Sequence, residues 1–275
     1  EEQMEAINIK DLDVAYEQKY IIKNMNLEIP KGKITMIIGS NGCGKSTLLK
    51  TIARIITPKK GEIRLNGVSI KEQAPKDIAK KMAVLPQSPT VPSGLLVKEL
   101  VSYGRFPYQS AMGGLKQEDI DKVQKAMEDT GISEFANRPV DSLSGGQRQR
   151  AWIAMALAQE TEILVLDEPT TYLDMAHQLE ILLLLQKLNK EQNRTIIMVL
   201  HELNNATKFA DYLIGVKEGE VIFKGEPLEV ITKENLQKLY GIDAKLQLDE
   251  TNSYPICVDF NIGREDSKER NEYAK

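Results

Sequence analysis

Only two cysteines occur in 275 residues, Cys43 and Cys257, and they lie far apart in the chain. No disulfide framework is expected, and the usage suits a reducing compartment. Long apolar runs are also missing. The longest covers 151–158, well short of the roughly 20 residues that cross a bilayer. The opening EEQMEAINIK lacks the basic and apolar segments of a secretory signal. Positive charge is not in excess either. Lys and Arg number 36 against 40 Asp and Glu, a net charge of −4. Nothing in that balance attracts nucleic acid or anionic lipid globally. What is present is 41% apolar and 28% charged residues. That composition and length suit a soluble chain of one or two domains with a sizeable core.

Four short β-branched runs read as buried strands: KITMIIGS (33–40), KMAVLPQ (81–87), EILVLDEP (162–169) and TIIMVLH (195–201). Helical patterns occupy 45–56, 116–130, 145–159 and 175–190. Such alternation predicts an α/β fold with a mainly parallel sheet. The stretch 6–29 alternates more and predicts antiparallel strands, whereas 89–158 shows helices and no clear strand. Residues 244–260 read as a small hairpin, ahead of the charged tail 263–275. Each of the four strands ends on a polar or glycine-rich group: the loop 39–47, Gln87, Asp167–Glu168 and His201. In parallel α/β sheets ligands bind at those strand ends.

The stretch GSNGCGKST comprises Gly39, Ser40, Asn41, Gly42, Cys43, Gly44, Lys45, Ser46 and Thr47 and fits G-x-x-x-x-G-K-[ST]. Glycines let backbone N–H groups converge on a phosphate, and the following helix adds its positive end. Lys45 would reach the β- and γ-phosphates, and the Ser46 hydroxyl would ligate Mg²⁺. Cys43 reads as a small filler inside the loop. Asp167 and Glu168 close an apolar strand, where adjacent carboxylates are costly without a cation. They predict Asp167 as a Mg²⁺ ligand and Glu168 as the general base for an attacking water. In LSGGQRQR (143–150), Ser144, Gly145 and Gly146 open a second helix and a second anion site.

The order of the phosphate loop, Gln87, LSGGQ, LVLDEP, TYLD and His201 resembles the ATP-binding subunit of ATP-binding-cassette (ABC) transporters, over about residues 4–240. The resemblance implies a P-loop NTPase core, an N-terminal antiparallel β subdomain and a helical subdomain at about 89–158 inserted in the core. A short hairpin at 241–262 and the charged tail would follow. It also implies that ATP and Mg²⁺ are bound. Tyr16, 29 residues before Lys45, matches the aromatic that stacks on adenine, with Tyr20 as its rival. Gln87 matches the lid glutamine near Mg²⁺ or water, Asp174 the loop at the dimer interface, and His201 the switch histidine at the γ-phosphate. Ser144, Gly145, Gly146 and Gln147 would close over nucleotide held by a second copy. His177 reads as structural or interfacial, Trp152 as core, and Arg148 and Arg150 as facing solvent or a partner copy. Thr171–Tyr172 departs from the family's more usual Ser-Ala before LD.

Finer features, LVSYGRFPYQ (100–109) and TTYLDMAHQLEILLLL (170–185), are similar to importers of ferric siderophores, heme and cobalamin. The resemblance implies a peripheral ATPase on the cytoplasmic face of the plasma membrane. It would work with integral permease subunits and, indirectly, an extracellular substrate-binding protein, and with no nucleic acid. The alternative is a soluble non-transport cassette acting on ribosomes or DNA.

Overall fold

Alternating inward and outward residues fold the amino-terminal stretch into a ribbon. Ile7, Ile9, Leu12 and Val14 of β1 (Glu5–Tyr16) are buried, as are Ile22, Met25, Leu27 and Ile29 of β2 (Lys19–Pro30). The computed structural model describes residues 5–87, 89–109 and 113–263. After the ribbon come β3 (Ile34–Ile38), α1 (Lys45–Ile52), β4 (Lys60–Leu65), β5 (Val68–Ser69), α2 (Pro75–Ala79) and β6 (Met82–Leu85). Then follow α3 (Val97–Ser102), α4 (Gln117–Asp129), α5 (Gly145–Ala158), β7 (Ile163–Asp167), α6 (Met175–Gln192) and β8 (Thr195–Val199). The chain continues through α7 (Leu203–Phe209), β9 (Tyr212–Lys217), β10 (Glu220–Gly225), α8 (Pro227–Val230), α9 (Lys233–Tyr240), β11 (Ile242–Leu248) and β12 (Pro255–Ile262). Two compact units result, one running up to Gly67 and again from Met198 onward, the other covering Val68–Ile197. No helix among the described residues is long and apolar enough to cross a membrane.

In the first unit β1 pairs antiparallel with both β2 and β4. Every residue of β3 is buried, as a strand covered on both faces requires. It runs parallel to β9, and β10 returns antiparallel to β9. The segments 212–217 and 220–225 carry Gly215 and a Lys-Glu-Gly-Glu turn, which weakens their strand signal in the sequence. Packing decides there: the Phe223 ring lies where a side chain on Gly215 would stand. The helix predicted over 45–56 stops at Ile52, because Ala53 caps it and Arg54 takes φ +59°. Helix α9 is capped by Thr232, whose hydroxyl accepts from Asn235 N–H, and ends on Gly241 at φ +70°. The antiparallel hairpin β11–β12 follows. The charged tail beyond Gly263 lies outside the described residues.

In the second unit β6 runs parallel to β7. The stretch 89–158 carries α3, α4 and α5, and among its described residues the only strand-like pairing is the bridge Leu96–Pro139. Helices α3 and α4 pack on α5 through Val97, Leu100, Val101, Val123, Ala126 and Met127. Trp152 is buried in that layer. Arg150 is not turned out to solvent. It donates to the Thr130 carbonyl, just past α4, at 3.1 Å and pairs with Glu180 of α6 at 3.0 Å. Arg148 is exposed, yet it donates to the Asp141 and Leu143 carbonyls.

Arg105 anchors the layer. It is only 3% exposed and donates to Asp119 at 2.8 Å, to the Ala158 carbonyl at 2.8 Å and to Glu160 at 3.0 Å. The Tyr108 ring covers its guanidinium at 4.0 Å. Asp119→Ala removes one charge-assisted bond from a guanidinium that keeps Glu160 and the Ala158 carbonyl, so it should lower the unfolding free energy by about 1–3 kcal/mol. Chemical denaturation at neutral pH measures this. The Arg105 hydrogen bond holds the Asp119 carboxyl below its ordinary value. Its contribution is therefore complete above the normal carboxylate range, about pH 4, and is lost as pH falls through the lowered value. Asp119→Asn should flatten that acid limb of the stability profile.

Candidate functional site

Unit by unit, the strand ends carry the polar groups. In the first unit β3 runs into the loop 39–44, which wraps into α1. Gly39 has φ +152°, and a Cβ there would stand 2.1 Å from the Val216 carbonyl oxygen. Only glycine permits that approach between the loop and β9. Gly42 and Gly44 take φ of +76° and +104°. The loop is tied to the β9–β10 turn by Gly219 N–H, which donates to the Cys43 carbonyl at 2.9 Å. Cys43 is buried, and its thiol faces inward, 3.0 Å from the Cβ position of Gly39. Tyr240, at the end of α9, has its hydroxyl beside Gly39 and Cys43, and burial pushes its pKa up. Ser40 and Asn41 are exposed, while Ser46 and Thr47 in the first turn of α1 are half-buried.

Lys45 is 4% exposed. Its ammonium donates to the Gly39 and Ser40 carbonyls at 2.9 and 2.8 Å and lies 3.7 Å from the Cys43 sulfur. The charge is thus held inside the ring of the loop. Gly44 packs against Ile21 and Ile22 of β2. This sets the β1–β2 turn beside the loop, with Tyr16 and Tyr20 each 48% exposed. Either ring could offer a stacking face, and Lys23 lies 5.9 Å over that of Tyr20. His201 is exposed and sits between β8 and α7, with Leu200 N–H bonded to Ile37 of β3 at 3.3 Å.

In the second unit, register brings two groups together. Leu85 of β6 is paired with Leu166 of β7, so Gln87 and Glu168, each two residues further on, emerge at the same edge. The Gln87 amide donates to the Glu168 carboxylate, and so does the Thr171 hydroxyl at 3.0 Å. Glu168 takes φ +53°, a strained value for a side-chain-bearing residue. Asp167 precedes it, 6% exposed. The sequence gives no sign of the Thr171 contact, which depends on the turn after β7: Thr171 N–H bonds the Glu168 carbonyl at 3.2 Å.

Ser144 caps α5. Its hydroxyl accepts from Gln147 N–H at 3.3 Å, and the Gln147 side chain accepts from Ser144 N–H at 3.1 Å. This reciprocal capping box fixes the exposed helix start. Packing constrains Gly146 tightly and Gly145 mildly. A Cβ on Gly146 would stand 2.6 Å from the His177 ring, and one on Gly145 would stand 3.2 Å from Leu173. His177 is locked in place by Asp174, which caps α6. Asp174 Oδ1 accepts from His177 N–H at 2.9 Å and lies 2.8 Å from its Nδ1. Those bonds hold the Asp174 carboxyl below its usual range.

In the first unit Ser46 carries a hydroxyl, and in the second Asp167 carries a carboxylate and Gln87 an amide oxygen, each a hard oxygen donor of the kind Mg²⁺ takes. Among the described residues no cluster of three His, Cys, Asp or Glu forms a metal cage.

The chain matches the family model described as ABC transporter over residues 22–171. It is 54% identical to the iron(3+)-hydroxamate import ATP-binding protein FhuC of Bacillus subtilis, over 94% of this chain and 96% of that one. To the ferric enterobactin transport ATP-binding protein FepC of Escherichia coli it is 45% identical, over 90% and 92%. The dimeric post-hydrolysis structure of the ATP-binding cassette MJ0796, bound to ADP and Pi, superposes with a TM-score of 0.69 at 30% identity. That match covers 80% of this chain and 98% of the other.

The packing of His177 on Gly146 is open to a double-mutant test. Gly146→Ala should destabilise the protein by about 1–3 kcal/mol, as overpacking does. His177→Ala should relieve part of that cost. Thermal melting of the two single variants and the double variant measures the coupling.

Proposed function

Because this chain belongs to the ABC transporter family, we propose that it is the ATP-hydrolysing subunit of an importer for ferric hydroxamates or closely related iron chelates. The observation that carries the cargo class is the 54% identity to an iron(3+)-hydroxamate import ATP-binding protein across nearly both full lengths. In this reading the cassette covers 4–240, with the helical part at about 89–158, and the hairpin 241–262 and tail 263–275 are appended to it.

The residues take these roles. The glycine cradle and Lys45 bind the triphosphate. Ser46, Gln87 and Asp167 hold Mg²⁺, which neutralises phosphate charge when bound. Glu168 takes the proton of the attacking water. Gln87 and Thr171 aim its carboxylate, and the strained backbone at Glu168 presents it. His201 contacts the γ-phosphate, and Tyr16 or Tyr20 stacks on the base. Ser144, Gly145, Gly146 and Gln147 cover nucleotide bound to the phosphate loop of a second copy. Each site is thereby incomplete in a lone chain. Hydrolysis weakens the closed dimer, and the helical part carries that change to permease subunits in the membrane. A substrate-binding protein on the far side delivers the chelate.

Glu168→Gln keeps the Gln87 and Thr171 geometry but removes the base. It should cut turnover by 100-fold or more, in the ~10²–10⁴ range of general-base catalysis, with ATP still bound and dimers accumulating in gel filtration. Unchanged turnover would remove Glu168 from this role. For the cargo, the chain is assembled with an importer permease, and ATPase activity is read with binding protein loaded with ferric hydroxamate, heme or cobalamin. Stimulation by the ferric hydroxamate arm is expected. Stimulation confined to the heme or cobalamin arm would overturn the assignment.

A further inference from the structure

Besides the packing of α7 on β12, one side chain ties the carboxyl-terminal hairpin to the segment that follows His201. Asn204, in the first turn of α7, donates from its amide nitrogen to the Cys257 carbonyl at 3.0 Å and accepts from Cys257 N–H at 2.8 Å. Those are the two bonds a neighbouring strand would make to β12. They fall beside an irregularity in the ladder, where the pairing moves from Lys245–Asp259 to Leu246–Cys257 and passes over Val258. A single amide therefore replaces a missing strand.

The other end of this link matters more. Asn204 lies three residues after His201. Helix α7 is only seven residues long, and Glu202 at its start makes no side-chain cap. So short a helix is not stable by itself, and its tertiary contacts fix its position. Ala206 and Phe209 bury its inner face, and α7 packs on β3 and on β12. Within its first turn, the Thr207 hydroxyl donates to the Asn204 carbonyl at 3.0 Å. The Leu200–Ile37 bond and the Asn204 clamp thus flank His201 on its two sides.

We infer that Asn204 is a positioning residue for hydrolysis, and that the hairpin β11–β12 holds His201 in register through it. The inference rests on the ATPase reading above and extends it to an element outside the recognised motifs. The phosphate loop is secured separately, by Gly219 to Cys43. Loosening α7 should therefore slow turnover and leave diphosphate binding alone.

The test uses the full-length chain with Asn204→Ala and Asn204→Asp, the latter keeping the acceptor for Cys257 N–H and losing the donor. In Asn204→Ala, kcat should fall roughly tenfold, within the ~100-fold that a 1 Å misplacement can cost. The ADP dissociation constant should stay within about twofold, since binding energy not tied to the transition state is untouched. Hydrogen exchange of amides 203–206 should quicken, while that of 44–48 stays as in the parent. Asn204→Asp should fall between. A kcat within twofold of the parent, or a loss of ADP affinity in step with kcat, overturns the inference. The second result would reveal mere destabilisation. Lys45→Ala is the control for the underlying reading: if it retained full turnover, the ATPase assignment itself would fail.

Discussion

The Val216 carbonyl stands 2.1 Å from where a Cβ on Gly39 would be, an approach that only glycine permits. That approach lets β3 deliver its loop directly against β9. The Gly219–Cys43 bond completes the attachment. Once the loop is pinned, its Gly39 and Ser40 carbonyls hold Lys45 in the ring. The same loop meets β2 at Gly44, so the aromatic turn of the antiparallel ribbon arrives beside it. Buried strands, a side-chain-free corner and an inward lysine form one dependent chain of packing.

The second unit solves a different problem. Its parallel pair β6–β7 sets Gln87 and Glu168 at one edge by register alone. A strained backbone then turns Glu168 outward to meet two donors. Strain of this kind costs on the order of 1–3 kcal/mol and persists only where the surroundings over-determine it. The turn bond from Thr171 and the buried Asp167 supply that determination.

Much of this was legible in the residues. Lys45, Ser46 and the loop glycines are local in sequence, and their spacing is itself the geometry. Glu168 and Gln87 are readable as strand ends, because continuous β-branched runs such as ILVLD announce a covered strand. The helix start at Ser144 is readable because its capping partner, Gln147, lies three residues away. What escaped is non-local. The bond from Asn204 to Cys257 joins groups 53 residues apart, and an asparagine early in a helix carries no mark of its partner. Strands β9 and β10 were hidden by Gly215, whose missing side chain is filled by Phe223 from the next strand. Arg150 reads as surface charge, and only the fold shows that Thr130 and Glu180 claim it.

Gly146 carries a broader consequence. Its lack of a side chain is demanded by the His177 imidazole, whatever nucleotide does at the helix tip. A duplicated descendant that had abandoned chemistry would still be held to that glycine by folding alone. That glycine is thus a poor witness to enzymatic competence, since packing alone favours it.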